Sequence, residues 1–385
     1  MMNCRKLAAV LLAATAMTAP VRALAQEAAP MDAAAPVSAE EAASEVEFLK
    51  AQLESVQAQL DEIKKKTATA VPTYKAAPEF KDGDWKFKIR GRFMYDVGYV
   101  DNPAASDGAT LNGTTAKNLG FNSHVRRARL GVEGAMPGGF SYKMEADFAD
   151  NTVAWADAFI EYKDAKSPFS VRVGHFETFQ SLEQITSSRH IMFLERAQMN
   201  EAFNHGRRLG AAVGYDQGDW LLRAGIFNDT INAGMDNDDW LAGARIVYAP
   251  KMGSNQLHFG VNAQHREFQS NTLNTRYRMR NPARVTDVRL VDTAAFAAKS
   301  DNVVGIEAGG IFGPLWVVGE GQYVKAKAIA PGTTFTNGDA AGTTLFLGND
   351  PSFYSYYAEV GYWLTGETRG YKKGEWDRTK VKNGF

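Results

Sequence analysis

The chain has 385 residues and almost balanced charge, with 43 lysines and arginines against 44 aspartates and glutamates and a net charge of −1. A nucleic-acid-binding protein usually carries a basic excess, so we expect no nucleic acid partner. The single cysteine, Cys4, lies in a leader segment. Disulfides and thiolate metal or redox sites are therefore excluded from the mature chain.

The N-terminus has the pattern of a secretory signal peptide. Arg5 and Lys6 precede an apolar run at 7–17, and Ala23-Leu24-Ala25 supplies the small residues of a cleavage site. We predict a signal peptide at 1–25 and a mature chain beginning at Gln26, with 40 basic against 44 acidic residues. No later stretch is apolar enough for a spanning helix, so the exported chain is expected to be soluble, peripheral or a β-barrel.

Residues 26–66 combine an Ala- and Pro-rich lead-in with an apolar heptad seam. The seam repeats at spacings of three and four and consists of Val46, Leu49, Leu53, Val56, Leu60 and Ile63. A lone helix would expose this seam, so we expect a coiled coil between subunits in the periplasm, where it could also bind a periplasmic partner. Residues 67–84, with two prolines, are predicted to be an extended linker.

Residues 85–100 form the most informative segment. Alternate positions from Trp85 onward are aromatic, apolar or glycine, and the positions between them begin with Lys86, Lys88, Arg90 and Arg92. Side chains alternate faces along a strand, so one face is apolar and the other carries four successive cations. A solvated polar face would explain this pattern, and so would a basic row lining a water-filled pore. The length favours a membrane strand, which needs about ten residues to cross when tilted.

The remainder resembles a meander of long hairpins. Twelve strands are predicted, at 85–100, 125–135, 140–148, 153–163, 169–176, 208–216, 220–227, 240–249, 256–268, 303–312, 315–325 and 353–365. Short connections alternate with long ones, which is typical of an outer-membrane barrel. The predicted fold class is all-β, a transmembrane antiparallel β-barrel over 85–385, in preference to a soluble sandwich.

The long connection at 177–207 is expected to fold into the barrel. Ser181-Leu182-Glu183-Gln184 resembles a helix capping box, and the apolar residues Ile191, Met192, Phe193, Leu194 and Met199 call for burial. We predict an inward loop that narrows the pore. Its candidate lining residues are Arg189, His190, Glu195 and Arg196.

Several short motifs, in order along the chain, resemble the phosphate-selective porin O and P family. They are Val-Arg-Arg-Ala-Arg-Leu at 125–130, Gly-His-Phe at 174–176 followed by Ser-Leu-Glu at 181–183 and Thr-Ser-Ser at 186–188, Phe-Leu-Glu-Arg-Ala at 193–197, Gly-Arg-Arg-Leu-Gly at 206–210 and Tyr-Trp-Leu-Thr-Gly-Glu at 362–367. The resemblance covers about residues 85–367. It implies a homotrimeric outer-membrane barrel of sixteen strands with an inward third loop, cations along the wall, and selectivity for anions, including phosphate or polyphosphate.

The resemblance also assigns roles by position. It implies wall roles for Arg126, Arg127 and Arg129, and constriction roles for Arg196, Arg207 and Arg208. Glu177 departs from the pattern, because the family often has lysine after Gly-His-Phe, and this argues against strict phosphate binding. The chain ends at about the family's last four strands. We favour a truncated sequence over a smaller barrel closed by pairing 85–100 with 353–365.

The predicted function is passive diffusion of anions through an outer-membrane pore lined by arginine and lysine, without cofactor or metal. The candidate anion pathway consists of Lys86, Lys88, Arg90, Arg92, Arg126, Arg127, Arg129, Arg196, Arg207, Arg208 and Arg223. Carboxylates that share the inward phase either hold these arginines extended or neutralise them; they are Asp96, Glu133, Glu145, Asp147, Asp157 and Glu161.

Three other functions are considered. General diffusion of small solutes follows if the inward carboxylates cancel the arginines. An envelope tether, in which the coiled coil binds a periplasmic partner and the barrel anchors it, is the second alternative. A barrel enzyme is disfavoured, because the six histidines show no spacing that suggests a catalytic triad or a metal site.

Overall fold

The computed structural model describes residues 39–67, 73–74, 77–100, 110–111, 114–115, 120–233, 239–268, 275–286, 289, 291–293, 295–329 and 350–382. The predicted signal peptide lies outside the described residues. The chain divides into two compact units, 1–68 and 69–385. Within the described ranges, no helix combines the length and apolar character needed to cross a membrane.

The first unit contains helix α1, Ala39–Thr67. The helix covers the whole predicted heptad seam. Five seam residues, Val46 to Leu60, are between 48% and 60% exposed. The periodicity therefore produces the expected helix, and the coiled coil remains a prediction.

The second unit is built on one antiparallel sheet. Its long strands, numbered β1 to β12, are Trp85–Val100, Gly120–Met136, Phe140–Asp147, Ala154–Tyr162, Phe169–Glu177, Arg207–Gln217, Trp220–Phe227, Trp240–Tyr248, Asn255–Glu267, Ala298–Phe312, Leu315–Ala328 and Ser352–Tyr362. Each pairs with its neighbours in chain order. Every predicted strand segment overlaps one of them, because period-two alternation specifies long strands well.

Short turns at 137–139, 163–168, 218–219, 249–254 and 313–314 lie on one rim, which we call the turn rim. The long connections leave from the other rim, the loop rim. Minor elements are strands Thr73–Tyr74, Pro78–Asp82, Thr110–Leu111, Thr114–Thr115, Lys251–Met252, Arg278–Met279 and Val291–Asp292, and 3-10 turns Pro137–Gly139 and Ile231–Ala233. The predicted alternation of short and long connections is confirmed except at 148–153, which lies on the loop rim but is as short as the turn at 163–168.

The sheet is open between β1 and β12 in the described part of the chain. Closure through pairing of the strand at Trp85 with the strand at Tyr354 is not observed. The edge of β1 is covered instead by Pro78–Asp82, which pairs with it from Glu79↔Lys88 to Asp82↔Trp85. The sheet therefore begins within the segment that was predicted to be an extended linker.

The two faces of the sheet differ sharply. Large apolar side chains project from the outer face, where Phe93 is 70% and Tyr356 is 78% exposed. The inner face carries the charged positions of the same strands, and the long loop after β5 packs against it. A polar inner face and an apolar outer face are typical of the strands of a transmembrane β-barrel.

Three segments occupy the inner face. The connection 178–206, which we call the inward loop, contains the short helices α2, Leu182–Ile185, and α3, Gln198–Ala202. A C-terminal hairpin, β13 Gly370–Lys372 and β14 Glu375–Asp377, enters from the turn rim. In the connection after β9, the described residues 275–286 lie beside α3 and pack Tyr277 against Phe203. Apolar clusters that include Met199, Leu182 and Trp376 fix these segments to β9–β12.

Candidate functional site

The inward loop is anchored on β9–β12 by buried polar groups. The Glu320 carboxylate accepts hydrogen bonds from Ser181 Oγ at 2.7 Å and from the backbone N–H groups of Leu182 and Glu183, both at 2.9 Å. Ser181 Oγ also accepts from the Gln184 N–H at 3.3 Å, as the capping box predicts. These bonds hold the start of α2 against β11.

A second group of contacts holds the other end of the inward loop to the same wall. Gln180 donates to Gln322 Oε1 at 3.1 Å, and His205 Nε2 lies 3.2 Å from the Asp301 carboxylate. Glutamine and carboxylate side chains of β10 and β11, including Asp301, Glu320 and Gln322, therefore bind this loop, and we call them the dock.

The loop is held from the opposite wall by arginines of β1 and β2. A β-bulge in β2 leaves Arg126 without a residue opposite it, since Met94 pairs with Arg127 and Tyr95 with Val125. Both adjacent arginines are consequently buried against Glu195 of the loop, with Arg126 Nη1 at 3.3 Å and Arg127 Nη2 at 2.7 Å from its Oε1. The loop therefore crosses the inner face from β11 to β1–β2.

Burial and charge act in opposite directions on the loop carboxylates. Burial raises the pKa of Glu195, but the neighbouring charges of Arg127, Arg284, Arg196 and Arg126 outweigh this effect and hold the pKa below its ordinary value. Burial raises the pKa of Glu183 above its ordinary value. Glu195 is thus a stable anionic anchor.

A cavity of about 620 Å³ lies between the inward loop, the C-terminal hairpin and the inner face of β1–β8. Fourteen lysines and arginines line it, against seven aspartates and glutamates. The cations are Lys88, Arg90, Arg92, Arg127, Arg129, Lys143, Arg172, Arg189, Arg196, Arg207, Arg223, Arg245, Lys372 and Lys373. The surroundings of this cavity are strongly cationic although the whole chain is nearly neutral.

Eight of the predicted anion-pathway residues line this cavity: Lys88, Arg90, Arg92, Arg127, Arg129, Arg196, Arg207 and Arg223. Three do not. Lys86 is exposed near the turn rim, and Arg126 is buried beneath the inward loop. Arg208 is buried against the Asn228 carbonyl at 3.2 Å and lies 3.6 Å from the Asp229 carboxylate.

The inward carboxylates all pair with cations, and several hold an arginine in place. Arg129 bonds to Asp147 at 2.6 Å and Glu145 at 3.3 Å, and the same Glu145 oxygen lies 3.3 Å from Arg92. The remaining pairs are Arg126–Asp96, Arg90–Glu133, Lys143–Asp157, Arg207–Asp157 and Arg172–Glu161. These contacts orient the arginine and lysine side chains of the wall, and they compensate only part of the positive charge on it.

Two predicted loop residues behave differently from the wall arginines. Arg196 donates to the backbone carbonyls of Glu183 at 2.9 Å and Thr186 at 2.6 Å. Arg189 contacts Ser187, and no carboxylate in the described residues pairs with it. Phe193 and Leu194 were expected to be buried but are 66% and 62% exposed, so that part of the prediction is wrong.

Glu177, the departure noted in the sequence, pairs with a cation of the same site. Its carboxylate lies 2.8 Å from Arg207 Nη1 and accepts from Gln184 Nε2 at 3.1 Å. Glu177 is therefore a partner that positions Arg207 at the edge of the cavity.

Sequence reasoning missed the C-terminal hairpin. Gly374 O accepts from Arg245 Nη2 at 3.1 Å, and the Trp376 N–H donates to Thr186 Oγ1 at 3.2 Å. The hairpin thereby brings Lys372 and Lys373 to the cavity from the turn rim. The only signal in the sequence is the pair of adjacent lysines followed by Gly374, whose φ of +77° suits a tight turn.

Comparison with known proteins gives the family. The model of the family "Phosphate-selective porin O and P" matches residues 87–384. An uncharacterized protein of Caulobacter vibrioides is 33% identical, over 96% of this chain and 78% of its own length. Porin O of Pseudomonas aeruginosa is 26% identical, over 78% of this chain and 70% of its own length.

Solved structures show weaker likeness. A loop-deletion mutant of OmpT, an outer-membrane protein of Vibrio cholerae, aligns at 10% identity and a TM-score of 0.36, over 74% of this chain and 93% of that one. An anion-selective porin from Comamonas acidovorans aligns at 12% identity and a TM-score of 0.25, over 72% and 98%. The match of the family model over most of the sheet decides the assignment: the chain belongs to the phosphate-selective porin O and P family and is an outer-membrane porin.

Proposed function

We propose that this porin conducts anions in preference to cations, with phosphate-type anions as the best-fitting solutes. The observation that carries the proposal is the twofold excess of lysine and arginine over acidic residues around the cavity. In a narrow aqueous passage, such an excess raises the local anion concentration and repels cations.

The passage supplies two kinds of cation. Arginines paired with carboxylates, such as Arg92 and Arg129, are held extended by those partners. Arg189, Lys372 and Lys373 have no carboxylate partner within the described part of the chain, so their charge is available to a passing ion. An anion that loses part of its hydration shell is compensated by these N–H donors, and a series of weak sites permits flux.

Phosphate is favoured among the anions because a guanidinium group offers two parallel donors to two oxygens of the same anion. Arg207 is less suited to this role, since Asp157 and Glu177 already occupy its donors at 2.8 Å. We therefore assign the anion contacts to Arg189 and the hairpin lysines before Arg207.

We further propose the arrangement of the complete protein. A signal peptide, residues 1–25, directs export, and three copies assemble into a homotrimer through α1 in the periplasm. The exposed seam on α1 supports this association, because apolar residues at a and d positions are buried when helices supercoil.

Deletion of residues 46–63 should lower the fraction of trimers in detergent and leave channel conductance in place. Loss of envelope attachment with intact trimers would favour the tether instead.

The test of selectivity is the zero-current potential of the purified protein in a planar bilayer across a KCl gradient. The sign of this potential should show that chloride permeates in preference to potassium. The triple variant Arg189→Gln, Lys372→Gln, Lys373→Gln removes three cations without leaving a buried carboxylate unpaired, and should lower the anion-to-cation permeability ratio by about threefold or more. Lys86→Gln, an exposed cation off the cavity, is the matched control. Cation preference of the wild type would overturn the proposal and favour general diffusion.

A further inference from the structure

Two lysines project from the outer face of the sheet at the loop-rim end of β11. Val324 and Ala326 of this strand are fully buried on the inner side, whereas Tyr323, Lys325 and Lys327 alternate with them and are exposed. Successive side chains of a strand point to opposite faces, so both lysines lie on the face that carries the apolar belt. Neither lysine has a carboxylate partner among the described residues.

Lys325 belongs to a polar row that crosses the outer face. Strand pairing sets four polar residues side by side on β9 to β12, namely His265, Asn302, Lys325 and Ser352. His265 Nδ1 lies 2.9 Å from Asn302 Oδ1. Lys327 lies two residues farther toward the loop rim. The outer face therefore becomes polar at this level.

The adjacent row toward the turn rim is apolar and aromatic. On β7 to β12 it consists of Ala224, Ala244, Ala263, Val304, Tyr323 and Tyr354. Tyr323 is 47% and Tyr354 is 77% exposed. Tyrosine is enriched where acyl chains meet lipid head groups, so these two rings mark that boundary. Lys325 and Lys327 lie about 7 Å and 14 Å beyond it along the strand, at the depth of the head groups.

A shallow groove of about 710 Å³ adjoins the lysines on the outer face. Ala224, Ala244 and Ala263 are among the residues that line it, and His265 and Asn302 lie at its polar end. Asn302 is the ladder neighbour of Lys325, so the groove and the lysines form one continuous surface. Small side chains here leave space on the sheet for an acyl chain.

The charge of this surface is positive. Lys299, exposed at the bulge in β10, adds a third cation. The nearby carboxylates are Glu267, which accepts a hydrogen bond from Trp240 Nε1 at 3.2 Å, and Asp350, which accepts from the Ala328 N–H at 3.0 Å. Three lysines thus outnumber two carboxylates that already have donors. A surface of this charge is complementary to phosphate groups.

A general need for lysine at the loop rim does not explain the pair on β11. At the same end of β1 the outer positions are Tyr95, Val97 and Tyr99, all more than half exposed. Cations on a lipid-facing wall are tolerated near the head groups, where a long side chain reaches polar surroundings. The lysines are therefore local to β10–β11.

We propose that Lys325 and Lys327 bind a phosphate group of a multiply acylated lipid of the lipid A type, whose acyl chains lie along the tyrosines and in the groove. The long loops of an outer-membrane barrel are extracellular, so the loop rim meets the outer leaflet. Basic side chains at this depth attract anionic head groups. This inference concerns the outer face and does not depend on the anion conduction proposed above.

The experiment titrates lipid A into the purified protein in detergent and counts bound lipid by native mass spectrometry. Lys325→Gln with Lys327→Gln should raise the apparent Kd for lipid A by about tenfold or more. The matched control, Lys166→Gln with Lys251→Gln, removes two exposed lysines at the turn rim and should change the Kd by less than about twofold. Ala263→Phe fills the groove and should weaken binding severalfold with both lysines in place.

Wild-type conductance in a planar bilayer shows that the double variant folds. Equal weakening by the two pairs of substitutions, or no weakening by either, overturns the proposal, whatever the ion selectivity of the pore. Displacement of lipid A by millimolar inorganic phosphate would assign the lysines to a free anion instead.

Two further outcomes also count against the proposal. Loss of oligomers in the double variant, with no lipid A bound to the wild type, would mean that the lysines contact a second copy of the chain. Unchanged affinity in Ala263→Phe would show that the acyl chains do not occupy the groove.

Discussion

The inner face of the sheet consists of two halves that perform different tasks. Strands β1–β8 present lysines and arginines to the cavity, whereas the inner positions of β9–β12 are buried glutamates, aspartates and amides, including Gln264, Asp301, Glu307, Glu320 and Gln322. The cationic half faces open space. The acidic half is covered by the inward loop and the C-terminal hairpin.

The difference shows how one alternating strand pattern can build both a conducting wall and a dock. On the acidic half, carboxylates accept hydrogen bonds from the loop backbone and from Arg245, so their charge is compensated inside the protein. On the cationic half, carboxylates compensate only part of the charge. The excess of cations at the cavity depends on this unequal division.

The largest expected effect comes from breaking the dock. Glu320→Ala removes the acceptor for Ser181, Leu182, Glu183 and the Tyr357 hydroxyl, which is 2.5 Å away. Each stranded buried donor costs about 1–3 kcal/mol, so the inward loop should detach. Single-channel conductance should rise severalfold and anion preference should fall.

The matched control is Glu267→Gln, a half-buried carboxylate of β9 that accepts a hydrogen bond from Trp240 Nε1 and lies off the loop. Unchanged conductance in Glu320→Ala would mean that the apolar cluster around Leu182 holds the loop without the carboxylate. The acidic half would then not be a dock.

A smaller effect, with the opposite sign for anion preference, is expected on the cationic half. Glu195→Gln removes the charge that holds Arg126 and Arg127 to the loop but keeps the side-chain shape. Conductance should increase by less than about twofold, since one acceptor oxygen remains. Anion preference should rise, because Arg127, which lines the cavity, loses the negative charge that compensates it. A fall in anion preference, measured by zero-current potential, would show that Glu195 acts mainly as a loop anchor, as Glu320 does.

The cationic half was largely predictable from the sequence, and the dock was not. Alternation along residues 85–100 fixes which side chains face inward, since period two is a local property. The docking of Ser181 on Glu320 joins residues 139 positions apart, and no local pattern identifies such a partner. The same limit applies to the hairpin at 370–377.

The arginine pair at 126–127 shows a more specific limit. Strict alternation would put these neighbours on opposite faces, yet both contact Glu195 because a bulge interrupts the ladder beside Met94. A bulge has no strong signal in a strand without glycine at that point. The family resemblance, rather than the alternation, pointed to Arg126.

Selectivity should also depend on pH, through the hairpin that separates the two halves. Burial raises the pKa of Glu375 to about 6, although Arg245, Arg172, Arg223 and Lys143 oppose that shift. Protonation below pH 6 removes a negative charge from the cavity, so the anion-to-cation permeability ratio should increase by about twofold between pH 7.5 and pH 5.

Glu375→Gln should abolish most of this pH dependence and resemble the low-pH wild type at pH 7.5. His190 also lines the cavity and gains charge on acidification, but burial lowers its pKa. A pH response that persists in Glu375→Gln and disappears in His190→Gln would assign the effect to the histidine.

The smallest effect is expected from one anchor of the hairpin on the acidic half. Tyr371→Phe removes the hydroxyl that lies 2.6 Å from His258 Nδ1, while the bonds of Gly374 O to Arg245 and of the Trp376 N–H to Thr186 remain. Loss of one such bond is worth about 1 kcal/mol, so amide hydrogen exchange in 370–377 should accelerate by about fivefold with little change in conductance. Tyr362→Phe, on the exposed outer face, is the control. A clear rise in conductance would instead mean that this hydroxyl, and not the two remaining bonds, keeps the hairpin in the passage.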